Sequence, residues 1–79
     1  MPRVTRRDCE AAVGRLTKMT GETLIIEYSG APQRPRLAVY TDGRFDRWLS
    51  PRLRTGEFYE WVWAAIAGIE LYWEKEATR

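Results

Sequence analysis

Residues 36–50 read RLAVYTDGRFDRWLS, two short runs of strand-forming residues joined by the pair Asp42-Gly43. An Asp-Gly pair accepts the two positive φ angles of a type I′ turn, whose twist matches that of a two-residue β-hairpin. The stretch therefore predicts a hairpin built from strands 36–41 and 44–50.

The two-residue turn also predicts which residues of the hairpin face one another. It gives the pairs Tyr40–Phe45, Val39–Asp46 and Leu37–Trp48. The first and last are favourable cross-strand pairs. The middle pair places an apolar side chain opposite a carboxylate, so a different register remains open.

The residues before this hairpin predict a helix and another strand. Thr5 is a predicted N-cap, and Asp8 is placed to return the capping hydrogen bond. Apolar residues then recur at spacings of three and four until Gly21 ends the helix. ETLIIEY (22–28) is rich in strand formers, and SGAPQRP (29–35) is predicted as a loop because its two prolines do not suit a central strand.

The residues after the hairpin predict a second helix, from about 56 to 76. Thr55 is its candidate cap, and Glu57 lies favourably near its positive end. The order is helix, three antiparallel strands, helix. The sequence therefore predicts an α+β fold (α-β-β-β-α) in one domain, residues 1–79, with both helices packed on one face of the sheet.

Composition and charge limit the functional classes. The chain has 79 residues and a formal net charge of +2, too small to imply a nucleic-acid partner by itself. The charge is polarised, however: eleven Lys/Arg and six Asp/Glu precede Gly56, and two and five follow from there. Such polarity bears on the choice of partners rather than on the fold.

The same composition indicates a cellular location. Cys9 is the single cysteine, which favours a reducing compartment. MPRVTRRDCEAA (1–12) lacks the apolar stretch of a signal peptide, and the longest apolar run, WVWAAIAGI (61–69), is too short to span a bilayer. We expect a soluble cytoplasmic protein that does not associate with membranes.

A helical wheel divides the aromatic residues of the last helix into two groups. At about 100° per residue, most of them share one arc with Val62 and Ile66, which predicts that they belong to the core. This arc contains Phe58, Tyr59, Trp61, Tyr72 and Trp73. Trp63 and Leu71 fall outside it, and Tyr59 lies at its margin. We therefore predict that Trp63, Leu71 and Tyr59 contact a partner, although packing of the first helix against Trp63 is an alternative.

The sequence carries few groups suited to catalysis. It has no histidine, the usual general base near neutral pH. Cys9 falls on the apolar stripe of the first helix and is interpreted as a small buried residue. Glu70 and Glu74 share a helix face, but two carboxylates make an incomplete cation site. We predict a protein that is not an enzyme and holds no cofactor or metal ion.

Six arginines in the loop and hairpin region support an alternative function. Guanidinium groups suit phosphate and carboxylate ligands. If the six arginines lie at one edge of the sheet, they form a phosphate-binding surface, and the chain is a small nucleic-acid-binding domain. Solubility and protection of edge strands are the simpler interpretation. The six residues are Arg34, Arg36, Arg44, Arg47, Arg52 and Arg54.

The order of helices and strands is similar to that of double-stranded-RNA-binding domains. That family opens its last helix with a lysine cluster and has a histidine in the loop after the first strand. In this sequence Glu57 and Glu60 stand where the lysines belong, and histidine is absent. The topology is shared without the site, so RNA-binding activity is not inferred from it.

A second resemblance covers residues 50–73, SPRLRTGEFYEWVWAAIAGIELYW. The stretch resembles the end of small uncharacterised bacteriophage and prophage proteins, which join a Ser-Pro-Arg-Leu turn to a helix with an acidic–aromatic–Trp core and a Gly-Ile-Glu end. The matching residues are Ser50, Pro51, Arg52, Leu53, Glu57, Tyr59, Trp61, Gly68, Ile69 and Glu70. The resemblance implies a phage-encoded accessory protein and brings no activity with it.

Together these observations favour a small non-enzymatic protein-interaction module that binds a host or phage protein. Inhibition of a host-defence factor is compatible with this size. The nucleic-acid-binding domain is the alternative, and self-association through the last helix, as a homodimer, is a third hypothesis.

Overall fold

The computed structural model describes residues 3–30 and 34–77. Residues 31–33, in the predicted loop, lie outside them, as do the first two and last two residues of the chain. The helices and strands are α1 (Arg6–Thr20), β1 (Thr23–Ser29), β2 (Arg34–Thr41), β3 (Arg44–Trp48) and α2 (Thr55–Ala77). This order confirms the predicted α-β-β-β-α fold. No helix in the described residues is long and apolar enough to cross a membrane.

The predicted signals at the two ends of α1 are confirmed. The Thr5 side chain accepts a hydrogen bond from the Asp8 backbone N–H, and the Asp8 carboxylate accepts one from the Thr5 backbone N–H. Gly21 ends the helix in the left-handed conformation, with φ of 73°, and donates its N–H to the Thr17 carbonyl. Both ends of α1 are therefore stabilised by residues next to it in the chain.

The three strands form an antiparallel sheet in the order β1-β2-β3, with β2 in the centre. Alternation along the strands directs Leu24, Ile26, Leu37 and Val39 to one face. Leu37 belongs to the buried core, and Leu24 and Ile26 pack against it. Both helices lie on this face, which we call the covered face.

The core joins one stripe from each helix to the sheet. Neither helix can bury its apolar stripe by itself, so both helices pack their stripes on the covered face of the sheet. The two helices also contact each other along this stripe. The buried residues of the core are Cys9, Ala12, Val13, Leu16, Leu37, Phe58, Val62 and Ile66.

The hairpin turn is confirmed, but the predicted register holds only next to it. Asp42 and Gly43 have φ angles of 53° and 75°, as a type I′ turn requires. Tyr40 pairs with Phe45 as predicted. Beyond that pair the register shifts.

Asp46 is the residue that shifts the register. Val39 pairs with Arg47, so Asp46 is the extra residue of a β-bulge in β3. Its carboxylate accepts hydrogen bonds from the Thr41 hydroxyl and, at 2.7 Å, from the Arg47 guanidinium. The prediction that Trp48 faces Leu37 is therefore wrong: Trp48 pairs with Ala38.

The prediction that residues 29–35 form a loop is also wrong at its end. Arg34 and Pro35 belong to β2, and Pro35 pairs with Tyr28. The Pro35 carbonyl accepts a hydrogen bond from the Leu53 N–H, on the side away from β1. Since N–H and C=O of one strand residue point the same way, the N–H that Pro35 lacks is not needed by the β1–β2 ladder.

The segment after β3 extends the sheet without being a strand. Leu49 donates its N–H to the Leu37 carbonyl, and the buried Ser50 hydroxyl accepts the Leu37 N–H at 2.9 Å. A side chain thus replaces a main-chain partner of the central strand. α2 then begins at Thr55, one residue earlier than predicted, and the Glu57 carboxylate accepts the Arg54 N–H at 3.2 Å.

Candidate functional site

The face of the sheet opposite the helices carries large apolar side chains that the core does not use. The register directs Ile25, Ala38, Tyr40, Phe45 and Trp48 to this side. Phe45 and Trp48 are 48% and 37% exposed, respectively. We call this surface, with the arginines described below, the open face.

The bulge at Asp46 creates the aromatic part of the open face. In a regular strand Phe45 and Trp48, three residues apart, would lie on opposite faces. The extra residue between them reverses the alternation, and their rings meet with centroids 4.9 Å apart. Phe45 also contacts Tyr40 edge-on, at 6.0 Å. Three rings from two strands therefore form one continuous cluster.

An arginine packs against this cluster. The Arg36 guanidinium lies over the Trp48 ring, 4.2 Å from its centroid, and its Nε donates to the Ser50 carbonyl at 3.2 Å. A guanidinium held on an aromatic ring keeps donors free for a carboxylate or phosphate. Arg36 is thus positioned by Trp48, the last residue of β3, and by Ser50, which is hydrogen bonded to the central strand.

Two further arginines lie at one end of the open face. Arg52 is hydrogen bonded to the Ser29 hydroxyl and lies 3.5 Å from the Glu27 carboxylate. It also donates to the Arg34 carbonyl at 3.4 Å. Arg34 pairs with Ser29 across the strands. The structure therefore brings Arg34, Arg36 and Arg52 together beside the aromatic cluster.

The other three arginines named from the sequence lie elsewhere. Arg44 pairs with Thr41 at the hairpin turn. Arg47 pairs with Val39 on the covered face and lines a pocket there. Arg54 precedes α2. The six arginines therefore do not share one edge, because the bulge and the strand alternation divide them between faces.

Trp63 is partly accounted for by the contact between the two helices. Its ring meets that of Tyr59 at a centroid distance of 6.2 Å, and the Arg15 guanidinium of α1 lies 5.7 Å away. Arg15 also bonds the Glu70 carboxylate of α2 at 2.9 Å. Trp63 remains exposed, but it lies beside residues that join α1 to α2.

The last two turns of α2 extend beyond the sheet. The wheel predicts Tyr72 and Trp73 as core residues, and that prediction is wrong: both are exposed, Tyr72 by 61%. Leu71 is exposed beside them. A helix of 23 residues is about 34 Å long. Its fully buried positions end at Ile66, and the partly buried Ile69 still packs against the core.

Burial changes the titration of two side chains, those of Cys9 and Tyr28. Cys9 is fully buried, as predicted, and its sulfur lies 3.6 Å from the Thr55 carbonyl oxygen. Burial raises the pKa of the Cys9 thiol, and burial likewise raises that of the Tyr28 hydroxyl. Within residues 3–30 and 34–77, His, Cys, Asp and Glu form no group of three or more that could hold a metal ion.

The sequence analysis does not predict the open face. It predicts the pair of Tyr40 and Phe45, but simple alternation places Trp48 on the other side of the sheet. The signal that could have revealed it is the poor match of Val39 with Asp46, which favours a bulge.

No protein-family model, curated protein or solved structure matches the chain.

Proposed function

We propose that this chain is a small non-enzymatic protein-interaction module that binds a partner protein through the open face. The supporting observation is the cluster of Tyr40, Phe45 and Trp48 with Arg36 packed on it. Tyr, Trp and Arg are the residue types that dominate binding energy at protein interfaces. They lie on the side of the sheet that neither helix covers.

The charges around the cluster define the chemistry of the partner. Arg34, Arg36 and Arg52 lie at one side of the rings, with Glu27 as the carboxylate among them. A matching surface would offer an apolar centre to the rings and carboxylates to the arginines. The partner is therefore an acidic protein surface with an apolar centre.

The resemblance of residues 50–73 to phage proteins supports a biological setting for this interaction. On that basis the chain is a phage- or prophage-encoded accessory protein acting in the bacterial cytoplasm. Its partner is a host or phage protein, with host-defence factors among the candidates.

A binding experiment with two tryptophan variants tests the proposal. The tagged chain is used to capture proteins from a bacterial lysate, and each captured protein is purified and titrated by calorimetry. Trp48→Ala should weaken binding on the order of 30-fold or more, as hot-spot residues do. Trp63→Ala is the matched control, since Trp63 is a similarly exposed tryptophan away from the open face.

The result distinguishes binding through the open face from binding through the surface of α2 around Trp63. A partner lost on Trp63→Ala but retained by Trp48→Ala would move the site to the exposed surface of α2 around Trp63, which the sequence predicts as the partner contact. Retention of every partner by both variants would contradict binding through either surface.

Single-stranded nucleic acid is a second candidate, favoured by the arginines next to exposed rings. Bases stack on such rings, and phosphates bind the guanidinium groups. The geometry favours it less, because Arg36 covers one side of Trp48 and the rings pack against each other at 57° and 80°. Fluorescence anisotropy with labelled oligonucleotides at low salt tests it. Affinity weaker than on the order of 100 µM would exclude this candidate.

A further inference from the structure

The two edges of the sheet are protected to different degrees. β3 has five residues, contains the bulge and carries Arg44, Asp46 and Arg47. β1 has seven residues, TLIIEYS, with Glu27 as its single charge, and it pairs with β2 without a register shift. Bulges, charges and short length discourage pairing of an edge with another strand, and of these features β1 has only the single charge of Glu27.

Alternation identifies the main-chain groups that are free on β1. Pro35 and Leu37 direct their polar groups away from β1, towards residues 49–53. The even-numbered residues of β2 therefore bond β1, at Thr23, Ile25, Glu27 and Ser29. The N–H and C=O groups of Leu24, Ile26 and Tyr28 point outward. In the described part of the chain, β2 is the only strand paired with β1.

A groove of about 500 Å³ runs along this edge between α1 and β1. Arg6 lies at one end, with its guanidinium 3.8 Å from the Tyr28 ring centroid. Glu10, Gly14 and Lys18 line the groove from α1, four residues apart and so on one side of the helix. A Cβ at Gly14 would meet nothing within 4 Å, so the helix surface is open at that point.

We propose that this edge and groove bind a second copy of the chain around a two-fold axis. Ile26 is the central residue of β1, and its main-chain groups point outward. An axis through Ile26 would pair all seven residues of the strand with those of the partner copy, with Leu24 opposite Tyr28 and Ile25 opposite Glu27. No two like charges would face each other in this pairing.

The helix beside the groove has matching symmetry. Glu10 and Lys18 stand four residues before and after Gly14. With Gly14 nearest the axis, Glu10 of each copy faces Lys18 of the other, so one contact occurs twice. Glu10 also lies 3.8 Å from the Arg6 guanidinium of its own helix, so Lys18 of the partner copy would be a second cation beside the same carboxylate. A second copy thus pairs the free main-chain groups of β1 and adds two contacts between opposite charges. The dimer has a six-stranded sheet and presents two open faces on one side.

The first test is the oligomeric state of charge-swapped variants. Sedimentation velocity of the wild type should show a monomer converting to a dimer as concentration rises. Glu10→Lys or Lys18→Glu replaces two attractive contacts by two repulsive ones, so each should weaken the dimer on the order of tenfold. The double swap Glu10→Lys/Lys18→Glu restores both contacts and should restore dimerisation.

The second test measures pairing of β1 directly and uses the wild-type chain. Amide hydrogen exchange of Leu24, Ile26 and Tyr28 should slow as the dimer forms, because these N–H groups become bonded. The amides of Ile25 and Glu27 face β2 and serve as the internal control, protected at every concentration.

Two results would overturn the proposal. One is a monomer at all concentrations. The other is a dimer that is insensitive to the charge swaps and leaves the amides of Leu24, Ile26 and Tyr28 exchanging rapidly, which would assign association to another surface, such as the exposed end of α2.

Discussion

The covered and open faces of the sheet both carry large apolar side chains, but these are fully buried only on the covered face. Leu37 and Val39 have no exposed surface, whereas Phe45 and Trp48 on the other side remain accessible to solvent. Both helices are committed to the same face. Under the proposed function, stability and binding depend on opposite sides of one three-stranded sheet, and substitutions should separate them.

The largest expected effect is the loss of a covered-face side chain. Leu37→Ala should lower the free energy of unfolding by about 2–5 kcal/mol, because it removes a fully buried side chain and leaves a cavity. Urea unfolding followed by tryptophan fluorescence measures the change. Phe45→Ala is the matched open-face substitution and should cost about 1 kcal/mol, from its contacts with two neighbouring rings. Equal losses at the two sites would break the distinction between the faces.

A smaller effect is expected where the end of β3 is joined to the central strand. Ser50→Ala leaves the buried Leu37 N–H without its partner and should cost about 1–3 kcal/mol. Ser29→Ala is the control, since that hydroxyl bonds Arg52 at an exposed position, and it should change stability by less than about 0.5 kcal/mol. Chemical denaturation of both variants gives the comparison. If Ser29→Ala proved the more damaging, the role given to Ser50 would be incorrect.

The smallest expected effect is a pH dependence of the free energy of unfolding, caused by the buried thiol of Cys9 in the core. Burial raises the pKa of Cys9 above its ordinary value of 9.0, so the unfolded chain loses the thiol proton first as pH rises. The free energy of unfolding should therefore decrease from about pH 9 upward. Thermal melts of the wild type and Cys9→Ala across this range test it. The variant should show a shallower decrease, and parallel curves would mean that water reaches the thiol.

Much of the secondary structure was predictable because its signals are local. The capping box of Thr5 and Asp8, the left-handed Gly21 and the Asp42-Gly43 turn each depend on residues a few positions apart. Errors appeared where a distant segment intervenes. Pro35 is tolerated in β2 because residues 49–53, not a full strand, lie alongside it.

The candidate site was less predictable than the fold for the same reason. The helical wheel treats α2 as if it packed on the core along its whole length, so it predicts Tyr72 and Trp73 as core residues. Simple alternation predicts Trp48 on the face opposite Phe45, and the bulge at Asp46 reverses that alternation. Both errors concern the extent and register of elements that are distant in sequence.

The order of the elements, the ends of α1 and the hairpin turn follow from short stretches of the chain, since caps and turns depend on the φ/ψ preferences and hydrogen bonds of adjacent residues. Which aromatic residues remain exposed and which arginines meet follows instead from the packing of distant segments. It depends on strand register and on the point along α2 where the core ends. Both are set by contacts among several segments at once, which no single stretch of the chain specifies.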